Sequence, residues 1–111
     1  MSGLRGRSAI VGYGETPFVK PRHNGARTHY GEQCLAARLA MEDAGVRKDE
    51  IDGLVAISPL DQTASWSQDL AEYLRLRPAF LDSLYFGGGA GNAGILYASA
   101  AIAAGLCHTV L

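Results

Sequence analysis

A glycine-dense stretch between positions 85 and 94 is the best candidate for chemistry in this chain. It reads Tyr-Phe-Gly-Gly-Gly-Ala-Gly-Asn-Ala-Gly, and small and apolar residues follow it to position 105. Glycine accepts positive φ and lets a ligand come close to the backbone. A helix that starts after such a turn offers free N–H groups and its positive dipole end to an anion. The pattern therefore predicts a glycine elbow at a helix N-terminus, where negative charge could be stabilised.

Three other functions of this elbow are disfavoured. Residues 89–94 match G-x-G-x-x-G, but a dinucleotide fold places that motif in its first βα turn, with an acidic residue about 20 positions on. Here it follows a third predicted strand, and that acidic position falls at or beyond Leu111. No Lys-Ser or Lys-Thr pair follows the glycines, which excludes a P-loop. The apex, residues 87–91, contains only glycine and alanine, so it supplies no covalent nucleophile.

The histidines and cysteines do not form a recognisable site. His23, His29 and His108 lack the spacing of a metal site, and Cys34 and Cys107 lack a C-x-x-C partner. Both cysteines lie in apolar stretches, where a small core residue is the simplest interpretation. His108 is interpreted as structural. We therefore predict no metal site.

Charge and hydropathy exclude several classes of partner. The formal net charge is -1, which gives no reason to expect nucleic acid or an anionic membrane. Basic residues gather at positions 20–29, where a solvated loop is favoured over a phosphate-binding patch. Asp61 and Asp69 are interpreted as surface carboxylates. No run approaches the ~20 apolar residues that cross a bilayer, so no membrane insertion is expected and a cytoplasmic location is predicted.

Hydrophobic periodicity predicts an α/β fold that positions the elbow. A continuous apolar run at 54–58 is typical of a strand covered on both faces. The segment from 28 to 44 has a helical apolar stripe, with Thr28 as N-cap and Gly45 as C-terminal stop. The helix after the elbow is apolar on nearly every side, which predicts a buried, central element. The predicted elements are strands at 8–14, 54–58 and 80–86, helices at 28–44, 66–76 and 88–105, and a strand that begins at 107–111.

The order of these features resembles the amino-terminal part of the thiolase superfamily. The resemblance rests on residues 10–18, on 40–46 followed by 49–55, and on 88–105. It implies a layered αβαβα fold, of which residues 1–111 are the first part of the amino-terminal domain. Members of the family are several times longer, so we expect a fragment that is inactive alone and an enzymatic full-length parent.

The elbow departs from the thiolase pattern at the nucleophile. With Gly91 placed on the glycine of the family's Cys-x-Ser-Gly elbow, Gly88 stands at the cysteine and Ala90 at the serine. Gly88 cannot form an acyl-enzyme, so no catalytic residue is expected in this chain. In this respect it looks like sterol-carrier-type thiolase-like proteins and lipid-transfer-type aldolases. That resemblance implies retro-aldol cleavage of an acyl-CoA in lipid or steroid side-chain breakdown, with the coenzyme A thioester as substrate and no bound cofactor.

The resemblance also implies binding surfaces. The expected substrate-binding residues are Gly87, Gly88, Gly89 and Asn92. The expected homodimer contacts, which could equally be core, are Leu84, Tyr85 and Phe86. A small OB-fold/zinc-ribbon protein is a possible partner subunit. The alternative functions are a thiolase-type acyltransferase and a non-catalytic acyl-CoA-binding or lipid-transfer scaffold.

Overall fold

The computed structural model describes residues 3–20, 28–59, 65–85 and 87–111 of the chain. Two short 3₁₀ turns, Lys48–Glu50 and Gly87–Gly89, lie before β1 and α3 in this part of the chain. The helices and strands are, in order, α1 (His29–Ala44), β1 (Gly53–Ile57), α2 (Trp66–Leu74), β2 (Phe80–Leu84) and α3 (Ala90–Ala103).

The described sheet is parallel and consists of β1 and β2, and β1 also forms a bridge to the last residues of the sequence. β1 pairs with β2, and Gly53 stands opposite Phe80. Helix α2 lies between them along the chain, since parallel strands need a crossover connection. On its other edge Gly53 bridges Val110, and the Val55 N–H donates to the Leu111 carbonyl over 2.9 Å. Of the strand predicted to begin at 107–111, the structure shows an isolated bridge at Val110, and Leu111 forms backbone hydrogen bonds with Gly53 and Val55.

Alternation along β1 divides the structure into layers. Leu54, which is 2% exposed, joins the core that α1 and α2 form around Trp66, which is 1% exposed. Val55 faces the opposite side, where Gly94 of α3 packs against Val55 and Leu84. Helices α1 and α2 thus cover one face of the sheet and α3 covers the other. The α/β class predicted from the sequence is confirmed.

Helix α1 begins and ends where the sequence predicts. The Thr28 hydroxyl accepts a hydrogen bond from the Gly31 N–H at 3.1 Å, and Gly45 takes the left-handed conformation with φ of 68°. Both devices satisfy backbone groups that a helix terminus leaves unpaired. Part of the predicted apolar stripe packs on the core, namely Tyr30, Cys34, Ala37 and Met41.

An aromatic stack joins α1 to α2. The Tyr30 ring lies between those of Trp66 and Tyr73, at centroid distances of 4.0 and 4.7 Å. Its hydroxyl donates to Asp69 Oδ2 over 2.8 Å. Desolvation, and then the bond to Asp69, raise the pKa of Tyr30 to about 12. Asp69 is therefore not simply a surface carboxylate, because the packing of the two helices brings Tyr30 to it; Asp61 lies outside the described residues.

The predicted strand at 8–14 is wrong. This segment lies on α1 and pairs with no described strand. A Cβ at Gly12 would lie 2.7 Å from the Ala44 Cβ, and one at Gly14 would collide with the α1 backbone. The two glycines allow the segment to approach the helix closely, and the Tyr13 N–H donates to Asp43 Oδ2 at 3.1 Å.

The prediction that α3 is buried on all sides is also wrong. Its described buried residues are Ala90 and Ala101, whereas Ile95 and Leu96 are each about half exposed. One side of α3 contacts the sheet, and its opposite, equally apolar side faces outward. Helix α2 ends at Leu74, earlier than predicted, because the next residue takes a left-handed φ of 56°. Strand β2 ends at Leu84, two residues before the predicted end.

A carboxylate fastens the end of the chain to the start of β1. Asp52 accepts hydrogen bonds from the N–H groups of His108 at 2.9 Å and Thr109 at 2.8 Å, and His108 Nδ1 lies 3.0 Å from it. Burial alone would raise the pKa of Asp52, but these hydrogen bonds and the charge of His108 lower it to about 2. The structural interpretation of His108 is consistent with this contact.

We expect Asp52→Ala to lower the free energy of unfolding by about 2 kcal/mol at pH 7, because it removes hydrogen bonds to a charged acceptor. Urea unfolding followed by circular dichroism measures the loss. Asp49→Ala is the matched control: this exposed carboxylate contacts Arg47 Nε at 3.1 Å, and its removal should cost less than about 0.5 kcal/mol.

The loss of stability in Asp52→Ala should depend on pH. The pKa of Asp52 in the folded protein, about 2, lies below its unfolded value of about 3.9. Its contribution is therefore complete above about pH 4 and is lost as the pH falls through 2. The difference in the free energy of unfolding between wild type and Asp52→Ala should become smaller from pH 6 to pH 3. An equal difference at both pH values would contradict this assignment.

Candidate functional site

The predicted elbow lies at the carboxyl end of β2. Strand β2 ends at Leu84, whose carbonyl accepts a hydrogen bond from the Ser58 N–H over 2.9 Å. The chain then turns through Gly87–Gly89 and enters α3 at Ala90, which is fully buried. Gly87 has φ of 77°, a conformation that favours glycine. The elbow and the helix N-terminus predicted from the sequence are confirmed.

The four predicted substrate-binding residues form one exposed surface at this turn. Gly87, Gly88, Gly89 and Asn92 are all exposed and lie on the 3₁₀ turn and the first turn of α3. A Cβ at Gly88 or Gly91 would meet no atom within 4 Å. The N-terminal N–H groups of an α-helix have no partner within the helix. A ligand could therefore reach both the glycine backbone and the positive end of α3.

The predicted interface residues have different environments. Leu84 is buried within the chain, where it packs near Gly94. Tyr85 is 52% exposed and follows β2 directly. Phe86 lies outside the described residues. A role of these residues in a homodimer stays a prediction.

Residues that the sequence pattern did not single out hold the carboxyl ends of the strands. Gln33 of α1 donates from Nε2 to the Ile57 carbonyl at 3.0 Å and accepts from Trp66 Nε1 at 2.8 Å. One amide thus joins α1, β1 and the first residue of α2. Its signal in the sequence was weak, because a glutamine beside an apolar stripe looks like a surface residue.

A serine pair joins β2 to α2. The Ser83 hydroxyl donates to Ser67 Oγ at 2.6 Å and accepts from the Ser67 N–H at 2.9 Å. Ser67 is 4% exposed. Buried hydroxyls need partners, and this pair supplies them mutually. The signal that could have found it is a polar residue within the otherwise apolar segment at 80–86.

The thiols are not activated. Burial raises the pKa of the Cys34 thiol, and burial followed by the charge of Asp52 raises the pKa of Cys107. A raised pKa disfavours the thiolate that attacks substrates. His29 lies edge-on to Trp66 at 6.4 Å. In the described ranges no three His, Cys, Asp or Glu side chains come together as metal ligands.

The basic cluster cannot be placed as a unit. Arg22, His23 and Arg27 lie outside the described residues. As for membranes, no helix found in the described part of the chain is both long and apolar enough to cross a bilayer.

Comparison with known proteins gives an independent indication of which proteins this chain resembles. The chain is similar to steroid side-chain-cleaving aldolases. It is 32% identical over 114 residues to the steroid side-chain-cleaving aldolase of Thermomonospora curvata, covering 100% of this chain and 27% of that protein. It is 32% identical over 108 residues to the 17-hydroxy-3-oxo-4-pregnene-20-carboxyl-CoA lyase of Mycobacterium tuberculosis, covering 97% and 27%.

The fold has a solved relative as well. A chain of the Ltp2-ChsH2(DUF35) aldolase superposes with a TM-score of 0.77 at 30% identity, covering 92% of this chain and 25% of that chain. No family model matches. The chain spans about a quarter of the length of the curated relatives it matches. These similarities agree with the lipid-transfer-type aldolase part of the resemblance.

The elbow geometry predicts that substitutions at two adjacent glycines change stability by different amounts. Gly87→Ala should destabilise the protein by about 1–2 kcal/mol, because alanine resists the left-handed conformation. Gly88→Ala should change stability by less than about 0.5 kcal/mol, since its Cβ enters open space. Urea unfolding of the two variants tests this, and equal losses would contradict the geometry.

Proposed function

We propose that this chain supplies the glycine elbow of an aldolase that cleaves a carbon–carbon bond in the acyl-CoA side chain of a lipid or steroid. The observation that carries the proposal is the 32% identity to the two enzymes, which in one case extends over the whole chain and so includes the elbow. The exposed glycine turn at the start of α3 is consistent with such a role.

The reaction would be a retro-aldol cleavage. A base removes the proton of a β-hydroxyl group, the bond between Cα and Cβ breaks, and a carbonyl compound leaves. The electron pair of that bond passes into the thioester as an enolate, which takes up a proton at Cα to give the shortened acyl-CoA. This step needs a base and stabilisation of the enolate, and it forms no acyl-enzyme. A glycine at position 88 is compatible with that requirement.

Within this reaction the elbow would bind and orient the thioester. Gly87, Gly88 and Gly89 allow it to approach the backbone, and Asn92 stands on the first turn of α3 beside them. The positive end of the α3 dipole, which lies at this turn, would favour the developing negative charge. The groups that transfer protons would come from other parts of the protein.

A non-catalytic acyl-CoA-binding or lipid-transfer scaffold is the second candidate. It is favoured by one observation, the absence of any nucleophilic or acid–base side chain between residues 87 and 92. The same observation disfavours a thiolase-type acyltransferase, which needs a nucleophile at the elbow.

We also propose two protein partners and a cytoplasmic location. The first partner is a second copy of the chain, in contact through Leu84, Tyr85 and Phe86 at the end of β2. The second is a small OB-fold/zinc-ribbon subunit; the name of the solved relative includes a second component, ChsH2(DUF35). The two thiols of the chain are unpaired, which suits a reducing compartment.

The test is turnover by the complete protein. It would be incubated with a β-hydroxyacyl-CoA that carries a steroid side chain, and mass spectrometry would follow the released ketone and the shortened acyl-CoA. Gly88→Val should lower kcat/KM more than about tenfold, because the branched side chain fills the space that the thioester would occupy.

Gly3→Val is the control, because a Cβ at Gly3 also meets no atom within 4 Å but lies far along the chain from the elbow. It should leave kcat/KM unchanged. Equal activity of wild type and Gly88→Val would contradict the role of the elbow. Binding of the acyl-CoA in calorimetry without any turnover would favour the scaffold.

A further inference from the structure

The glycine turn at residues 87–89 depends on its two ends for its position. A Cβ added at Gly87 or Gly88 would meet no atom within 4 Å, so neighbouring side chains do not enclose the turn. Glycine also has more backbone freedom than other residues. After the turn the chain is fixed at Ala90, which is fully buried, and before the turn it is fixed at Leu84, the buried last residue of β2.

A single peptide group at the end of β1 connects Leu84 to a side chain of α1. The peptide group between Ile57 and Ser58 donates its N–H to the Leu84 carbonyl over 2.9 Å. The carbonyl of the same peptide group accepts from Gln33 Nε2 at 3.0 Å. A hydrogen bond accepted by a peptide carbonyl polarises the group and strengthens the bond that its N–H donates. The bond from Gln33 therefore supports the bond that holds Leu84.

The Gln33 amide is held in one orientation. Its Oε1 accepts a hydrogen bond from Trp66 Nε1 at 2.8 Å, and Trp66 is 1% exposed. The indole nitrogen can only donate, so it binds the amide oxygen and leaves the amide nitrogen to donate to the Ile57 carbonyl. A glutamate of the same shape would accept from Trp66 but, when ionised, could not donate to a carbonyl. The position thus makes use of both ends of the amide.

We propose that Gln33 is a positioning residue for the glycine elbow. It fixes the peptide group between Ile57 and Ser58, and that group fixes the carbonyl of Leu84, three residues before Gly87. Gln33 acts through the backbone and has no contact with substrate in this role. The inference rests on the proposed function, in which the elbow binds the thioester and favours the negative charge of the enolate.

The proposal predicts which kinetic constant changes when Gln33 is replaced. Negative charge develops on the thioester as the reaction approaches the transition state, so a displaced elbow loses an interaction that the bound substrate does not yet make. Loss of such an interaction lowers kcat and leaves KM nearly unchanged.

The test measures kcat and KM of the complete protein with a β-hydroxyacyl-CoA that carries a steroid side chain. Gln33→Glu keeps an acceptor for Trp66 and loses the donor to the Ile57 carbonyl, whereas Gln33→Met is neutral, similar in length and loses both bonds. Both variants should lower kcat about tenfold and leave KM within about threefold of wild type. A fall of kcat in Gln33→Glu alone would overturn the proposal, in favour of an effect of the added charge.

Amide hydrogen exchange gives a second measurement that does not depend on turnover. The Ser58 amide should exchange about tenfold faster in both variants than in wild type, because its bond to Leu84 is weakened. The Val55 N–H, which donates to the Leu111 carbonyl over 2.9 Å, is the internal control and should exchange at the wild-type rate. Unchanged exchange at Ser58 would overturn the proposal, and so would equal acceleration at both amides, which would indicate a general loss of stability.

Asp52→Ala is the matched control for stability, because it removes hydrogen bonds at the opposite end of β1. It should leave kcat unchanged. An equal fall of kcat in Asp52→Ala would show that Gln33 contributes only stability and would overturn its positioning role. Absence of turnover in wild type would contradict the proposed function instead, and faster exchange confined to Ser58 would still support the link from Gln33 to the base of the elbow.

Discussion

Strand β1 forms backbone hydrogen bonds along both edges and is packed on both faces. The remaining structure depends on this arrangement. Gly53 lies at the start of β1, where a Cβ would come 2.9 Å from a Val110 methyl and 3.1 Å from the Cys107 sulfur. Only a residue without a side chain lets the end of the chain approach this closely. Asp52 then binds the backbone of the two residues before Val110, so strand pairing and carboxylate binding reinforce each other.

The opposite end of the sheet is held by different means. There the pairing of β1 with β2 is joined by side-chain hydrogen bonds from Gln33 and from the Ser67–Ser83 pair. These bonds position the carboxyl ends of β1 and β2 on the α1–α2 side. The elbow follows the carboxyl end of β2, and an added Cβ at Gly87 or Gly88 would meet no atom within 4 Å. This combination would suit the thioester-binding role proposed for the elbow.

Glycine serves opposite purposes in the two halves of the chain. Gly12, Gly14 and Gly53 sit where a neighbouring backbone or side chain leaves no room for a Cβ. Gly87 and Gly88 sit where space is free, and one of them is needed for its positive φ rather than for close packing. The first group shapes the fold and the second group leaves a surface open, which residue type alone does not distinguish.

The sequence by itself determined the order of the elements from α1 onward, the ends of α1 and the position of the elbow. These features depend on local patterns, namely the periodicity of apolar residues, the Thr28 cap and the φ preferences of Gly45 and Gly87. Only the tertiary structure decided that residues 8–14 lie on a helix instead of in the sheet, and that α3 has an exposed apolar side. Pairing and burial depend on which elements meet across long distances in the chain. The same holds for Gln33 and Ser83, whose hydrogen-bond partners lie on separate elements that only the packing brings together.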